Sequence, residues 1–420
     1  MRPQKKVSRR ALLKGTALGV AGVALAACAA PAAPTTTAQP AEPTQAPAAE
    51  ATPTAMPLPT PPPAAEGKTA INVYSGSDTN ITDWHANVVI PAFETKFPQY
   101  DVNIISTKGV AGGIKSIVDR SLAAMEVNAD PQAELIEEDP AYFPDSVKAG
   151  LWQKMDEATV PNAKNVIEAA RVSEFGMPYR GSQVLLAYDS SKLPDAEVPK
   201  TFADLIEWVK KNPGQFTYSR PDKGGSGGNF VVRAIYEVTG RDPSKFKPGP
   251  ADPALIAEFD KAWELLRSIH EFTYGNGSYP SGNNPALQLL ANGSVTMIPA
   301  WSDQALQALS RGVLPDTVKL AQFADLPMPG GYAMMGMPKN TRNPQGAYDY
   351  MNFLLSPEIQ ESVVRDIGGF PAISWSLLPA ELQSQYTSVI TDNVPNWPGG
   401  EYNAARNKGW YEKVATNLQP

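Results

Sequence analysis

The chain has 420 residues, with 36 Lys and Arg against 43 Asp and Glu, two histidines and one cysteine. Six basic residues, Arg2, Lys5, Lys6, Arg9, Arg10 and Lys14, open the chain with no acid among them, so the formal charge of −7 becomes −13 for everything after residue 27. An acidic body excludes nucleic acid as the main partner, because phosphate affinity comes from Lys and Arg. The lone Cys28 excludes an intramolecular disulfide. With His85 and His270 as the whole imidazole supply, a zinc site with several His or Cys ligands is excluded too. No metal and no other cofactor is expected.

Residues 1–28 read as a targeting segment. A basic stretch ends at Lys14, and an apolar run follows from Gly15 to Ala27. Its 13 residues are too few to span a bilayer, which takes about 20. Leu25-Ala26-Ala27-Cys28 resembles a bacterial lipobox, which makes Cys28 the expected lipidation site. Arg9-Arg10 followed by Leu13 and Lys14 resembles a twin-arginine (Tat) export signal, although Ala11 stands where a bulkier residue is usual. Residues 29–68 are a linker in which Pro, Ala and Thr supply 31 of 40 positions. Such a composition buries no core and stays extended, with a reach of up to about 120 Å at roughly 3.1 Å per residue. The expected result is an exported body tethered by lipid to the outer face of the cell membrane.

Folded sequence begins at Thr69, and the 352 residues from there suit two lobes better than one core. The patterns predict a strand over 70–74, a helix over 82–97 disturbed by Pro91, a strand over 102–105, a helix over 113–125 and a strand over 133–136. Strands alternating with helices imply a parallel sheet, whose ligands meet the loops at the carboxyl ends of the strands. Here those loops are Tyr74 to Asp78 and Glu137 to Asp139.

Phe175 to Leu193 organises the rest. Gly176, Pro178 and Gly181 break the backbone before an apolar strand over 183–188. This segment is read as leaving one lobe, crossing a cleft and opening the second; the alternative is an ordinary central strand. Beyond it the patterns predict helices over 201–211, 229–238 and 254–269 and strands over 216–218 and 295–301. The loop from Ser219 to Gly228 is glycine-rich and feeds a helix, so it offers backbone N–H groups to an acceptor or is a flexible turn. It lacks the Gly-Lys-Ser/Thr closure of a P-loop. A second crossing is placed at Phe323 to Met337, helices over 345–355 and 357–365, and a third turn at Gly368 to Pro371. The division expected is 69–180 with 330–368 for the first lobe, and 181–329 with 369–420 for the second.

The segments GMPYRGSQVLLAYDSSKLPD, PKTFADLIEWVKKNPGQFTY and GMPKNTRNPQGAYDYMNFLLSPEIQ, together with lipobox and linker, resemble an extracellular solute-binding protein of an ABC importer. The likeness is to the group of iron, thiamine and polyamine binders, nearest an uncharacterised branch. It implies an α/β fold of the type II periplasmic-binding-protein kind, with two lobes closing about a hinge on a small solute. It also implies delivery to a membrane permease, with no catalysis. A monomer is expected.

The candidate ligand contacts are Tyr74, Ser75, Asp78, Glu138, Asp139, Tyr179, Arg180, Ser226, Trp301, Asp303 and Tyr332. Aromatics at loop edges stack on flat or cationic solutes, and the acids suit a cationic organic solute such as thiamine or a polyamine. Acids also favour a helix start for structural reasons, and Arg180 suits an anionic group or one of those acids. Iron-binding relatives present adjacent tyrosines; here Tyr348 and Tyr350 flank Asp349, which disfavours ferric iron. His85 is read as structural. A carbohydrate receptor of the same class, a secreted hydrolase using cleft carboxylates and an adhesion module on the long linker are the competing readings.

Overall fold

The computed structural model describes residues 57–247, 250–382, 394–395 and 397–420. The leader with Cys28 and most of the linker lie outside these residues. None of the described helices is long and apolar enough to cross a membrane.

The first lobe is built on β1 (Thr69–Ser75), whose last five residues are all buried. It pairs in parallel with β2 (Tyr100–Ser106) on one side and β3 (Leu135–Glu137) on the other, with Ile71 opposite Val102 and Tyr74 opposite Ile136. Such a sheet must be covered on both faces, and the alternation of side chains divides the strands accordingly. Ile71, Val73 and Leu135 enter one apolar cluster; Tyr74 and Ile136 enter another, against Ile117 and Val118 of α3 (Ile114–Glu126). The long helix expected after β1 comes as α1 (Thr79–Trp84), a π turn (His85–Val89) and α2 (Ile90–Lys96). Pro91 has no N–H to donate to the turn before it, and the wider π turn sits at that point.

After α4 (Pro144–Lys148) and β4 (Trp152–Gln153), which pairs with β9 (Met337–Pro338), the crossing segment forms β5 (Met177–Asp189), 13 residues long and buried throughout. It runs straight through the breakers Pro178 and Gly181. Met177 and Tyr179 lie in the first lobe's core, whereas Val184, Leu186 and Tyr188 lie in the second's. Every partner of β5 is antiparallel: β6 (Met297–Trp301), β7 (Val318–Ala321), β8 (Gly330–Met335) and β10 (Phe370–Pro371).

Helices of the second lobe follow their apolar spacing. In α5 (Phe202–Lys211), Phe202, Leu205, Ile206 and Val209 are buried, and Thr201 and Asp204 close a reciprocal cap at its start, a device worth about 1 kcal/mol. The glycine-rich loop is shorter than predicted, because α6 (Gly225–Val238) begins four residues early. The helix expected over 254–269 breaks at Glu258 into α7 (Pro253–Ala257) and α8 (Phe259–His270). Phe216 makes a single bridge to Met297 instead of a strand. Two helices escaped the sequence reading here, α9 (Asn283–Ala291) and α10 (Ser302–Ser310).

Along the stretch 323–337, Phe323 and Met328 belong to the second core, and Met335 and Met337 to the first. Two helices follow, α11 (Pro344–Leu354) and α12 (Pro357–Ile367), the latter capped by Ser356. The last passage differs from the division read from the sequence. Ala372, Ile373, Leu378 and Leu382 are still in the first core, and only Tyr402, Trp410 and Tyr411 of the C-terminal helix α13 (Gly400–Lys413) are in the second. Gly368, at φ +65°, turns the chain without carrying it across.

Candidate functional site

The strand ends and helix starts of the two lobes face each other around a cavity of about 720 Å³. The first lobe contributes the turn after β1, the residues after β3 and Lys108 after β2; β8 and the crossing strand line one side. The second contributes Trp301 at the end of β6, Asp303 and Gln304 at the start of α10, the first turn of α6 and Arg406 of α13. A volume of this size suits an organic solute of many atoms better than a bare ion. Side chains of the two lobes also meet across it. The Asn283 amide donates to Asp78 at 2.5 Å, and that of Asn80 to Asp303 at 3.4 Å.

One wall is a buried polar network. The register of β5 against β8 slips between Pro178 and Arg180, a bulge that leaves Tyr179 without an opposite residue. Consecutive strand residues ordinarily face opposite ways, and bulges re-aim them. Here Tyr179 and Arg180 both reach Glu137: the tyrosine hydroxyl donates to its carboxylate, and the Arg180 Nη2 lies 3.1 Å from it. Ser75 and Ser77 also donate to Glu137, the latter at 2.7 Å. Burial by itself would raise the Glu137 pKa, but Arg180 and the three hydroxyls outweigh it and hold the carboxyl below its usual range. Arg180 further reaches Asp303 at 3.7 Å, and Ser182 donates to Asp303 at 2.6 Å. Arg180, at 8 % exposure, is therefore neutralised from both lobes.

Glu138 and Asp139 are different. Glu138 accepts only the backbone N–H of Asp139, at 3.1 Å, and no cation lies within 4 Å of either residue among the described residues. Both are half-buried and line the cavity. Burial, then the neighbouring charges of Glu137 and Asp139, push the Glu138 carboxyl up to about 7. Burial raises Asp139 as well, against hydrogen bonds from Ser173 at 2.5 Å and the Ala141 N–H at 3.0 Å. Aromatic rings stand around the same space. Trp301 meets Trp397 edge-on at 6.2 Å, and Tyr142 and Tyr332 share the lining. Gly181 is required beneath Tyr332, since a Cβ there would lie 2.9 Å from the ring.

Of the residues singled out in the sequence, Asp78, Glu138, Asp139, Arg180, Trp301, Asp303 and Tyr332 line the cavity. Four lie behind its wall. Tyr74 is buried in the first lobe under the Arg120 guanidinium, 4.8 Å from the ring centre. Ser75 and Tyr179 serve Glu137, and Ser226 donates to Asn283 at 2.8 Å. His85 is buried against Tyr350, with Nδ1 2.7 Å from its hydroxyl, and burial draws its pKa down to about 4. Tyr350 belongs to the first lobe's core, and Tyr348 packs half-buried against it. Among the described residues no group of three or more His, Cys, Asp or Glu side chains is placed to hold a metal ion. Sequence reasoning passed over Asn80, Asn229, Asn283, Gln304, Trp397 and Arg406. The amides had no local signal; the last two lie in a C-terminal stretch that showed no strong apolar period.

Two lobes, a crossing strand and a polar cavity between them define a solute-binding protein of the type II periplasmic kind. Residues 89–387 match the family model described as bacterial extracellular solute-binding protein, and the chain belongs to that family. It is 26 % identical over 305 residues to Protein YnjB of Escherichia coli (strain K12), covering 70 % of this chain and 74 % of that one. It is 25 % identical over 280 residues to the putrescine-binding periplasmic protein SpuD of Pseudomonas aeruginosa (strain UCBPP-PA14), covering 62 % and 67 %. In fold it is similar to the solved Atu4243–GABA receptor, with a TM-score of 0.61 at 17 % identity, over 84 % of this chain and 99 % of that one. The protein is thus the substrate-binding component of an ABC transporter, acting outside the cytoplasm on a small solute that passes to a membrane permease. Its family is one of binding proteins and not of enzymes.

Proposed function

We propose that the solute is an organic cation, of the polyamine or thiamine kind, held between the lobes by Glu138 and Asp139. The observation that carries this reading is the pair of carboxylates on the cavity wall with no cation against them among the described residues. An ionised carboxylate facing a closed cleft is costly unless a positive charge meets it. Trp301, Trp397, Tyr142 and Tyr332 supply ring faces for the same charge, a contact worth about 0.5–2 kcal/mol. The Pseudomonas aeruginosa relative is a putrescine-binding protein, which agrees with a cationic solute. A neutral sugar would use the rings and could donate its hydroxyls to the two carboxylates, but it would leave their negative charge unmatched, and hydrolysis is not part of this reading.

Delivery follows from closure about β5 and its return strand β8, which join the lobes. The permease would recognise the closed form. In this reading the protein is a monomer, anchored by a lipid on Cys28 and free to reorient on its proline-rich tether. The test is thermal unfolding against thiamine, polyamines, sugars, amino acids and metal ions. A cation at about 100 times its dissociation constant adds roughly 2.7 kcal/mol to stability. Stabilisation by a neutral sugar and by no cation would overturn the proposal.

A further inference from the structure

Arg406 comes from α13, outside the residues that match the family model, and lines the cavity at 9 % exposure. Its Nε and Nη2 donate to the Asn407 side-chain oxygen at 3.0 and 2.8 Å, and Nη2 also to the Pro221 carbonyl at 3.3 Å. Among the described residues, no carboxylate lies within 4 Å of this guanidinium and Nη1 has no acceptor. Nη1 lies over Gly228, where a Cβ would stand 3.1 Å away. Asp222, whose field reaches the guanidinium, is already engaged by the Tyr411 hydroxyl at 2.6 Å and by Lys223 at 3.0 Å. The other cavity cations are neutralised, Arg180 by Glu137 and Asp303, and Lys108 by Asp78 at 3.0 Å. Burial draws the Arg406 pKa down to about 10, which still leaves it protonated at neutral pH. The positive end of α6 opens beside it. Two of its first-turn N–H groups are taken by Asn283 and Ser219.

We propose that Arg406 holds an oxyanion, carboxylate or phosphate, on the same solute whose cationic part meets Glu138 and Asp139, so that this receptor selects a dipolar solute. The inference rests on the cationic reading above and narrows it. A buried guanidinium without a counter-charge is costly in the empty site, and its planar fork matches an oxyanion in two bonds. Within the cavity it is the complement of the unpaired acids: two carboxylates await positive charge and one guanidinium awaits negative charge.

The experiment measures calorimetric binding to the full chain for matched solutes with and without an oxyanion: thiamine and thiamine monophosphate, putrescine and 4-aminobutyrate, choline and phosphocholine. In at least one pair the oxyanion member is expected to bind at least tenfold more tightly. The carboxylate and phosphate pairs distinguish the two anions. Arg406→Gln is expected to abolish that preference while leaving the cation-only member within about threefold; Arg406→Lys keeps part of it. Equal affinities within every pair overturn the inference and leave the cationic reading standing. Equal loss for both members in Arg406→Gln assigns Arg406 a structural role and also overturns it. No binding by any cation-bearing solute, with a neutral sugar bound instead, overturns both. Should Arg406→Gln fail to fold, the wild-type pairs and Arg406→Lys decide.

Discussion

Replacing Glu138 by Gln keeps the shape of the side chain and removes its charge, and the outcome depends on pH in a way that can be worked through. In the empty protein the carboxyl titrates at about 7. A cation is held by the ionised form, so the apparent affinity scales with the ionised fraction. That fraction is roughly nine-tenths at pH 8 and a tenth at pH 6, which makes binding about tenfold weaker at pH 6, or about 1.4 kcal/mol. Binding near pH 7 should release a proton, visible in calorimetry as a heat that changes with the ionisation enthalpy of the buffer. Glu138→Gln should weaken a cationic solute by about 1.5–3 kcal/mol at pH 8, the usual worth of a hydrogen bond to a charged group, and abolish both the pH dependence and the proton release. The same shift acts on folding. Because the folded pKa lies above the ordinary 4.5, stability of the empty protein falls as pH rises from about 4.5 through 7 and is level beyond. The full shift sets a ceiling of about 3 kcal/mol, reduced by the water that reaches the cavity face. Glu138→Gln should lack that fall. An affinity equally independent of pH between 6 and 8 in both proteins would refute the reasoning.

Three further outcomes follow from the geometry. Arg180→Met leaves Glu137 and Asp303 facing each other without their shared cation, and should cost about 3–5 kcal/mol in urea unfolding. In Gly227→Ala the new Cβ would stand 1.8 Å from the Ser219 carbonyl oxygen. The loss of thermal stability should exceed the 1–3 kcal/mol of ordinary overpacking, whereas Gly214→Ala, with nothing within 4 Å, should show only the strain of its φ of +79°. Trp301→Ala should weaken a cationic solute by about 0.5–2 kcal/mol in the same titrations and leave a bare-anion control unchanged.

What the sequence determined by itself is local. The helices over 201–211 and 357–365 and the strand of β1 were legible because apolar period is set by neighbours along the chain. The segment Phe175 to Leu193 stood out for the same reason, from breakers flanking an apolar run, and in the structure Tyr179 and Val184 enter different apolar clusters. The tertiary structure decided which polar residues face the cavity. Tyr74 and Ser75 stand at the expected strand end, but the first faces the core and the second faces Glu137, because strand side chains alternate and the sheet is covered on both sides. The sequence ran Glu137, Glu138 and Asp139 together as one acidic cluster. Only the bulge at Tyr179, which turns Arg180 onto Glu137, separates a neutralised acid from two unpaired ones. Arg406 could not be found from local pattern, since it reaches the site from a helix more than 200 residues beyond β5, through the packing of Tyr402 and Trp410 into the second core. Periodicity is a property of a segment, whereas the pairing of charges depends on which segments the fold brings together.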